Sequence, residues 1–135
     1  MTRLNPSTLT RVPVTVQRPA FDRTRLEPGI VHLGIGAFAR AHLLPVTDAA
    51  IAARGDGRWG VVGVSLRQPD TRDALQPQQG LYTLALRDAR GVHLQVVGSL
   101  VQVLVAPEDP DTVLRRLAAP ATRIISLTVT EKGYC

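Results

Sequence analysis

The sequence predicts an α/β fold, in which a doubly wound, mostly parallel sheet carries helices on its faces and an inserted β-hairpin. Short apolar runs alternate with helical patterns along the chain, which is the order that a parallel sheet requires. The runs are continuous, as in strands that are buried on both faces. The 135 residues are 44% hydrophobic and 20% charged, a globular composition that suits one domain or part of one.

The N-terminal half contributes an arm, a strand and a helix. Residues 1–28 hold four of the ten prolines and show no sustained periodicity, so we expect an arm that lies over the domain. Residues 30–34 form the first predicted strand, and the Ala- and Leu-rich residues 37–54 predict a helix that ends at Gly55. Because proline costs an interior helix about 3 kcal/mol, the helix should either kink at Pro45 or begin near it.

The middle of the chain predicts a second strand and a hairpin. The strand covers residues 59–66 and is followed by a polar loop with one helical turn. Residues 81–88 and 92–105 alternate or run apolar on either side of a short link that ends in Gly91. We expect these two segments to pair as an antiparallel hairpin, with Gly98 as a bend or bulge.

The C-terminal part predicts one more helix and one more strand. Residues 106–120 place Asp109 or Asp111 near a helix N-terminus and stop at Pro120. Residues 123–130 form the last predicted strand.

A glycine turn follows the first strand, with the pattern Gly34-x-Gly36-x-x-Ala39. Gly34 allows the tight turn, and Gly36 leaves backbone N–H groups open to a pyrophosphate. Ala39 is small enough for the helix to lie against the sheet. Between a strand and a helix, this pattern indicates a dinucleotide site of the Rossmann type; the alternative is a turn glycine pair in an unrelated α/β fold.

The acid that binds the adenosine ribose belongs at the carboxyl end of the second strand. Asp56 lies 20 residues after Gly36, which is the usual spacing, but it precedes that strand and so lies at the wrong end of the sheet. Asp70 follows the strand, and geometry therefore favours it. Arg67 could instead stack on adenine or meet a 2′-phosphate, and on balance we expect NAD as the cofactor in preference to NADP.

The charge distribution argues against a nucleic-acid or membrane partner. The formal net charge is +5, but 15 of the 16 basic residues are Arg, scattered from Arg3 to Arg123 among acidic residues. This pattern is typical of a solvated surface. No apolar run reaches the roughly 20 residues of a membrane span, and residues 1–19 lack a secretory signal, so we expect a cytoplasmic protein.

The metal-ligating residue types are too few and badly spaced for a metal site. His32, His42 and His93 share no i, i+4 spacing and have no arranged carboxylate or Cys partner. His32 alternates into a buried strand, where we expect a structural role. The single cysteine, Cys135, can form neither a disulfide nor a thiolate metal site.

Four segments resemble the mannitol dehydrogenase family of polyol-specific long-chain dehydrogenases, which includes the fructuronate (mannonate) oxidoreductases. They are IVHLGIGAFARAH (30–42), WGVVGVSLR followed by Asp70 (59–70), GLYTL (80–84) and RIISLTVTEKGYC (123–135). The last segment is the most specific of the four. The resemblance implies that residues 29–135 are part of a Rossmann-type NAD domain, which in the family is followed by a mostly helical catalytic domain.

The resemblance assigns cofactor contacts by position. They are Gly34, Gly36, Phe38 and Arg40 in the glycine turn, with Ala37 between them, and Asp70 as the ribose acid. The family usually has a larger residue, such as His or Phe, where this chain has Ala39. Thr128, Thr130 and Glu131 are further candidates because they lie at the carboxyl end of the last strand, with loop or helix capping as the alternative.

The family's catalytic Lys, Asn and His residues belong to the C-terminal domain, so the resemblance places no catalytic residue in this chain; Lys132 does not match that Lys. We expect the NAD-binding portion of an oxidoreductase that transfers a hydride between NAD and a polyol or sugar acid, held by the other domain. Mannitol/fructose and mannonate/fructuronate are the candidate pairs. A mannitol 1-phosphate relative and a non-catalytic nucleotide-binding module are the alternatives. By themselves, the 135 residues should show little turnover and an aggregation-prone, unfinished sheet edge.

Overall fold

The structure is a computed structural model that describes residues 2–130. Within this range the chain forms six strands and three α-helices. In chain order they are β1 (Pro28–Leu33), α1 (Leu44–Arg54), β2 (Gly60–Ser65), α2 (Asp70–Leu75), β3 (Tyr82–Asp88), β4 (Gly91–Val97), β5 (Leu100–Val105), α3 (Pro110–Ala118) and β6 (Ile124–Leu127).

The main sheet has four parallel strands in the order β5-β2-β1-β6. The chain first steps outward from β1 to β2 and β5, and then returns to the other side of β1 to add β6. The strand order therefore reverses between β1 and β6, as it does in doubly wound dinucleotide-binding folds. The predicted α/β architecture with a mostly parallel sheet is confirmed.

Apolar side chains lie on both faces of the sheet, which explains the continuous apolar runs. Ile30 of β1 and Val61 of β2 belong to a buried cluster that includes Leu44 at the start of α1. Their neighbours Val31 and Val62 belong to a second buried cluster on the opposite face, which also includes Val64 of β2 and Val113 of α3. Helices therefore cover both faces of the sheet.

A π-helical turn, Ala39–Leu43, precedes α1 and accommodates Pro45. In this turn the Leu44 N–H donates to the Ala39 carbonyl, and the next bond of the same kind would join the Arg40 carbonyl to an N–H that Pro45 lacks. The Tyr82 hydroxyl donates to the Arg40 carbonyl instead, with an O···O distance of 2.5 Å. Of the two outcomes expected at Pro45, a kink or a helix that begins near it, the structure shows the second: α1 begins at Leu44, directly after the π-helical turn, and Gly55 ends it with a φ of 64°.

The hairpin is shorter than predicted, and the expectation that residues 92–105 form one of its arms is wrong. β3 pairs with β4 in an antiparallel ladder, but β5 leaves the hairpin and pairs with β2 in parallel. Gly98 lies in the corner between β4 and β5, where a Cβ atom would lie 2.7 Å from Pro19. The apolar pattern is the same in a hairpin arm and in a buried parallel strand, so periodicity alone did not separate the two.

Two charged side chains bind the backbone of this corner, Asp48 at N–H groups and Arg23 at carbonyl groups. The carboxylate of buried Asp48, on α1, accepts hydrogen bonds from the Gly98 and Ser99 N–H groups, both at 2.8 Å. The Arg23 guanidinium donates to the Gly98 carbonyl at 2.8 Å and to the Leu100 carbonyl at 3.0 Å. Burial raises the pKa of Asp48, although the N–H donors and the Arg23 charge favour its ionised form.

The remaining elements agree with the sequence in type and differ at their ends. Asp109 is the N-cap of α3, because its carboxylate accepts from the Thr112 N–H at 3.1 Å. The polar loop after β2 contains α2, and β6 ends at Leu127. No helix among the described residues is long and apolar enough to cross a membrane.

Candidate functional site

The glycine turn joins the carboxyl ends of three adjacent strands. The N–H groups of Gly34 and Ile35, which follow β1, donate to the Val64 carbonyl of β2 at 2.8 and 3.1 Å. On the other side, the Thr128 N–H donates to the Leu33 carbonyl at 3.1 Å. The turn therefore lies where the strand order reverses, which is the position at which open α/β sheets bind their ligands.

The two glycines of the turn serve different purposes. Gly34 has a φ of 92°, in the region that favours glycine, and this lets the chain leave β1 at a sharp angle. Among the described residues, none except the two chain neighbours of Gly36 has an atom within 4 Å of the place where its Cβ would stand, so these residues leave the space beside it open. The helical turn that begins after Gly36 has first N–H groups without intrahelical partners, which favours an anionic group in that space.

Ile35, between the two glycines, anchors the turn to the sheet. Its side chain is 2% exposed and lies over Gly63 in the middle of β2. A Cβ atom at position 63 would lie 2.5 Å from the Ile35 Cγ1 and 2.8 Å from its Cβ. Gly63 is therefore required for the glycine turn to pack, and it lies outside the pattern that identified the turn.

The candidate residues after Gly36 form the outer wall of the turn. Arg40 donates from its backbone N–H and from its Nε to the Gly36 carbonyl, at 3.1 and 3.2 Å. Ala37 is exposed, and Phe38 is 66% exposed with its ring 4.6 Å from the ring of His42. Ala39 is buried against the sheet, as expected from its small size. The turn thus presents Ala37 and Phe38 outward and keeps Ala39 inside.

The two acids considered for the ribose lie at opposite ends of β2. Asp70 is exposed and begins α2, five residues after β2 ends at the glycine turn, and Arg67 is exposed beside it. Asp56 precedes β2 and accepts hydrogen bonds from Arg58 and from the Trp59 indole N–H. These bonds, above all those from Arg58, hold the pKa of Asp56 far below its usual range. Asp56 thus has a local role at the amino end of the sheet.

The candidates after the last strand divide into one held residue and one exposed residue. Thr128 is half-buried, and its Oγ1 lies 2.8 Å from the Nε2 of His32 and 3.4 Å from the Gly34 carbonyl oxygen. Thr130 is exposed. Glu131 lies outside the described residues. The structure therefore brings Thr128 and the glycine turn together.

Sequence reasoning missed two side chains that support the turn. Tyr82 satisfies the Arg40 carbonyl, and only the combination of Pro45 with a π-helical turn creates that need. His32 was expected to be structural, but its bond to Thr128 was not foreseen. Ser126 and Thr128, spaced i, i+2 on the strand beside a buried His, were the available signal.

Other features of the described residues lie away from the turn. A groove of about 600 Å³ runs beside the edge strand β5 and is also lined by α2. Arg72 of α2 forms an ion pair with Glu108 there. No residue of the glycine turn lines it. Residues 2–130 contain no group of three or more His, Cys, Asp or Glu side chains arranged to hold a metal ion.

Comparison with known proteins shows what the chain resembles. Residues 28–134 match the model of the mannitol dehydrogenase Rossmann domain. A mannitol dehydrogenase of Saccharomyces cerevisiae is 40% identical over an alignment of 135 residues that covers 98% of this chain and 27% of that protein.

Two solved structures have the same fold. The ternary complex of Pseudomonas fluorescens mannitol 2-dehydrogenase with NAD and D-mannitol matches 99% of this chain with a TM-score of 0.91 and 39% identity. A substrate-free D-sorbitol dehydrogenase matches 98% with a TM-score of 0.85 and 36% identity. The chain covers 28% of each, so it spans about a quarter of the length of its relatives.

Proposed function

The chain belongs to the mannitol dehydrogenase family, and we propose that it binds NAD at the glycine turn as the cofactor-binding part of a polyol oxidoreductase. The observation that carries this proposal is the open space beside Gly36, at the point where the strand order reverses. The relative whose fold matches with a TM-score of 0.91 was solved in complex with NAD and D-mannitol. NAD is the cofactor expected from the sequence.

The residues of the turn fit a dinucleotide. The Gly34 conformation brings the first N–H groups of the following helix toward the open space, where they would donate to the pyrophosphate. Gly36 leaves room for the phosphates to approach the backbone. Ala37 and Phe38 would border the cofactor, and Arg40 holds the turn through its bonds to the Gly36 carbonyl. When bound, NAD would accept the hydride of the substrate alcohol.

Asp70 is proposed to select NAD over NADP. It lies just past the carboxyl end of β2, where a carboxylate can accept hydrogen bonds from the adenosine ribose hydroxyls. A 2′-phosphate at the same place would meet a like charge, although Arg67 nearby would partly offset the repulsion. We therefore expect NADPH to bind more weakly than NADH.

The substrate and the reaction belong to the longer protein that the relatives represent. Both solved relatives act on polyols by name, so a secondary alcohol of a polyol such as mannitol is the proposed substrate class, ahead of a sugar acid. In the proposed organisation of the chain, residues 29–135 hold the cofactor and residues 1–28 form an arm over this part. The arm is supported by the bridge from Gln17 to Gln95 on β4 and by the Arg23 bonds to the corner.

Titration of the 135-residue chain with NADH, followed by cofactor fluorescence, tests the proposal. We expect saturable binding that Gly36→Ala weakens about tenfold or more, a difference of about 1.4 kcal/mol, because the new methyl group occupies the space of the pyrophosphate. Gly55→Ala is the control for a loss of stability alone: its φ of 64° makes alanine strained at the far end of α1, so it should lower stability and leave NADH affinity unchanged. Equal binding by Gly36→Ala and the unsubstituted chain would refute the site.

The same titration with NADPH tests the role of Asp70. We expect weaker binding of NADPH than of NADH, and Asp70→Ala should narrow the difference between the two. An unchanged ratio in Asp70→Ala would show that the discrimination, if present, comes from another residue.

A further inference from the structure

A histidine lies inside the sheet directly behind the glycine turn. His32 is on β1, the strand that carries the turn, and it is 4% exposed. Both of its ring nitrogens have hydroxyl partners on the β6 side: Nδ1 lies 2.8 Å from the Ser126 Oγ, and Nε2 lies 2.8 Å from the Thr128 Oγ1. An apolar residue would satisfy the packing of a buried strand at lower desolvation cost, so this polar pairing calls for a reason.

The two hydroxyl partners determine the protonation pattern of the ring. Burial lowers the pKa of His32, so the imidazole is neutral and has one donor and one acceptor nitrogen. The Thr128 hydroxyl has a second acceptor within reach, the Gly34 carbonyl oxygen at 3.4 Å. If that hydroxyl donates to Gly34, it accepts from the Nε2–H of His32, and Nδ1 then accepts from the Ser126 hydroxyl.

This chain of bonds ends at the backbone of the turn. The Thr128 backbone N–H donates to the Leu33 carbonyl, and a Cβ at position 34 would lie 3.7 Å from the Thr128 Cβ. Thr128 therefore lies against the residue whose conformation directs the chain toward the open space beside Gly36. Thr130, two residues further along, is exposed and has no such constraint.

We propose that His32 is a positioning residue for cofactor binding, which fixes the Thr128 hydroxyl against Gly34 and so holds the glycine turn to the end of β6. The inference rests on the proposed function, because its consequence is cofactor affinity. It gives the buried histidine and the serine beside it a role in the site without contact with the ligand.

NADH affinity of the 135-residue chain, measured beside unfolding in urea, tests the proposal. Thr128→Val keeps the shape of the side chain and removes its hydroxyl, so we expect about fivefold weaker NADH binding, the effect of one lost hydrogen bond. Thr128→Ser restores the hydroxyl and should return affinity to within about twofold of the unsubstituted chain. Thr83→Val, which changes an exposed threonine on β3 in the same way, is the matched control and should leave both bonds of His32 and the NADH affinity unchanged.

The tautomer of His32 gives a readout that does not depend on the cofactor. Long-range ¹⁵N–¹H NMR distinguishes the two ring nitrogens, and His32→Gln identifies the resonance among the three histidines. We expect a fixed Nε2–H tautomer in the unsubstituted chain and a shifted Nε2 signal in Thr128→Val. Rapid exchange between the two tautomers would overturn the proposal.

The outcomes separate this inference from the proposed function. Binding of NADH that Gly36→Ala weakens and Thr128→Val leaves unchanged would overturn the role of His32 and leave the cofactor site standing. Loss of affinity in Thr128→Val that Thr128→Ser does not restore would also overturn it, since the hydroxyl would then not be the cause. Absence of NADH binding by the unsubstituted chain would overturn the proposed function and this inference together.

Discussion

Replacing Gly63 by alanine tests how closely the glycine turn is packed against the sheet. Gly63 lies in β2 opposite His32 of β1, and the Ile35 side chain covers it. The added methyl group would stand 2.5 Å from the Ile35 Cγ1, 2.8 Å from its Cβ and 3.0 Å from its Cδ1. A rotation about χ1 can move the first and last of these atoms but leaves the Cβ in place. The backbone of the turn must therefore shift.

The expected cost follows from the kind of contact. Overpacking of a core by one methyl group typically costs 1–3 kcal/mol, and the fixed Cβ contact places Gly63→Ala near the upper end, at about 3 kcal/mol. Because Ile35 lies between Gly34 and Gly36, the same shift moves the N–H groups that are proposed to meet the pyrophosphate. NADH affinity should therefore fall together with stability.

A double-mutant cycle with Ile35→Ala measures the part of this contact that the Ile35 Cγ1 and Cδ1 atoms make, because alanine keeps the Cβ. Ile35→Ala alone should cost about 2–5 kcal/mol through the cavity that it leaves. In the double variant the new methyl group occupies part of that cavity, so the combined cost should be smaller than the sum of the single costs by about 1 kcal/mol or more.

Urea unfolding, followed by the fluorescence of the single tryptophan, Trp59, supplies the free energies. Gly36→Ala is the control for the intrinsic effect of the substitution, since its methyl group would meet no described residue within 4 Å apart from its chain neighbours. Additive costs within about 0.5 kcal/mol would refute the reasoning, because residues in contact should couple.

Two further substitutions test the charged groups of the fold. Asp48→Ala should lower the free energy of unfolding at pH 7 by about 3 kcal/mol, because it leaves the buried Gly98 and Ser99 N–H groups without their acceptor and removes the negative charge that acts on Arg23. Asp111→Ala, at an exposed position, should change the free energy of unfolding by no more than about 1 kcal/mol. Equal costs of the two substitutions in urea unfolding would contradict the role of Asp48 at the corner between β4 and β5. His32 has a lowered pKa in the folded chain, so its contribution to stability is complete above the unfolded value near 6.5 and is lost as the pH falls through the folded value. Unfolding free energies measured between pH 7.5 and 5.5 should show this loss, and the dependence on pH should be smaller in His32→Gln. The same dependence on pH in both proteins would contradict a contribution from His32.

Much of the glycine turn could be predicted from the sequence because its signals are local. A glycine that takes positive φ, a glycine that leaves space and a small residue that lets a helix approach are requirements of the backbone itself. They identified Gly34, Gly36 and Ala39, and the same kind of reasoning placed the helix end at Gly55 and the cap at Asp109 or Asp111, of which the structure shows Asp109. The preference for Asp70 over Asp56 as the ribose acid came from their order along the chain, because Asp70 follows β2 and Asp56 precedes it.

The supporting residues could not be predicted because each depends on a partner distant in the chain. Gly63 matters only because Ile35 lies over it, and Tyr82 matters only because Pro45 leaves the Arg40 carbonyl without a donor. His32 and Thr128 are 96 residues apart and meet only after β6 pairs with β1. Nothing in the local pattern distinguishes such residues from ordinary core positions.

The sequence by itself therefore determined the class of the fold and the backbone of the glycine turn, since these follow from local conformational preferences and apolar periodicity. The family followed from the resemblance of four segments to its members. The tertiary structure alone decided that residues 100–105 leave the hairpin to become the third strand of the parallel sheet, held at the corner by Asp48 and Arg23. It also decided which side chains hold the turn in place. The physical reason is that an apolar strand satisfies its hydrogen bonds equally well in either sheet, and only long-range packing and buried polar partners select between them.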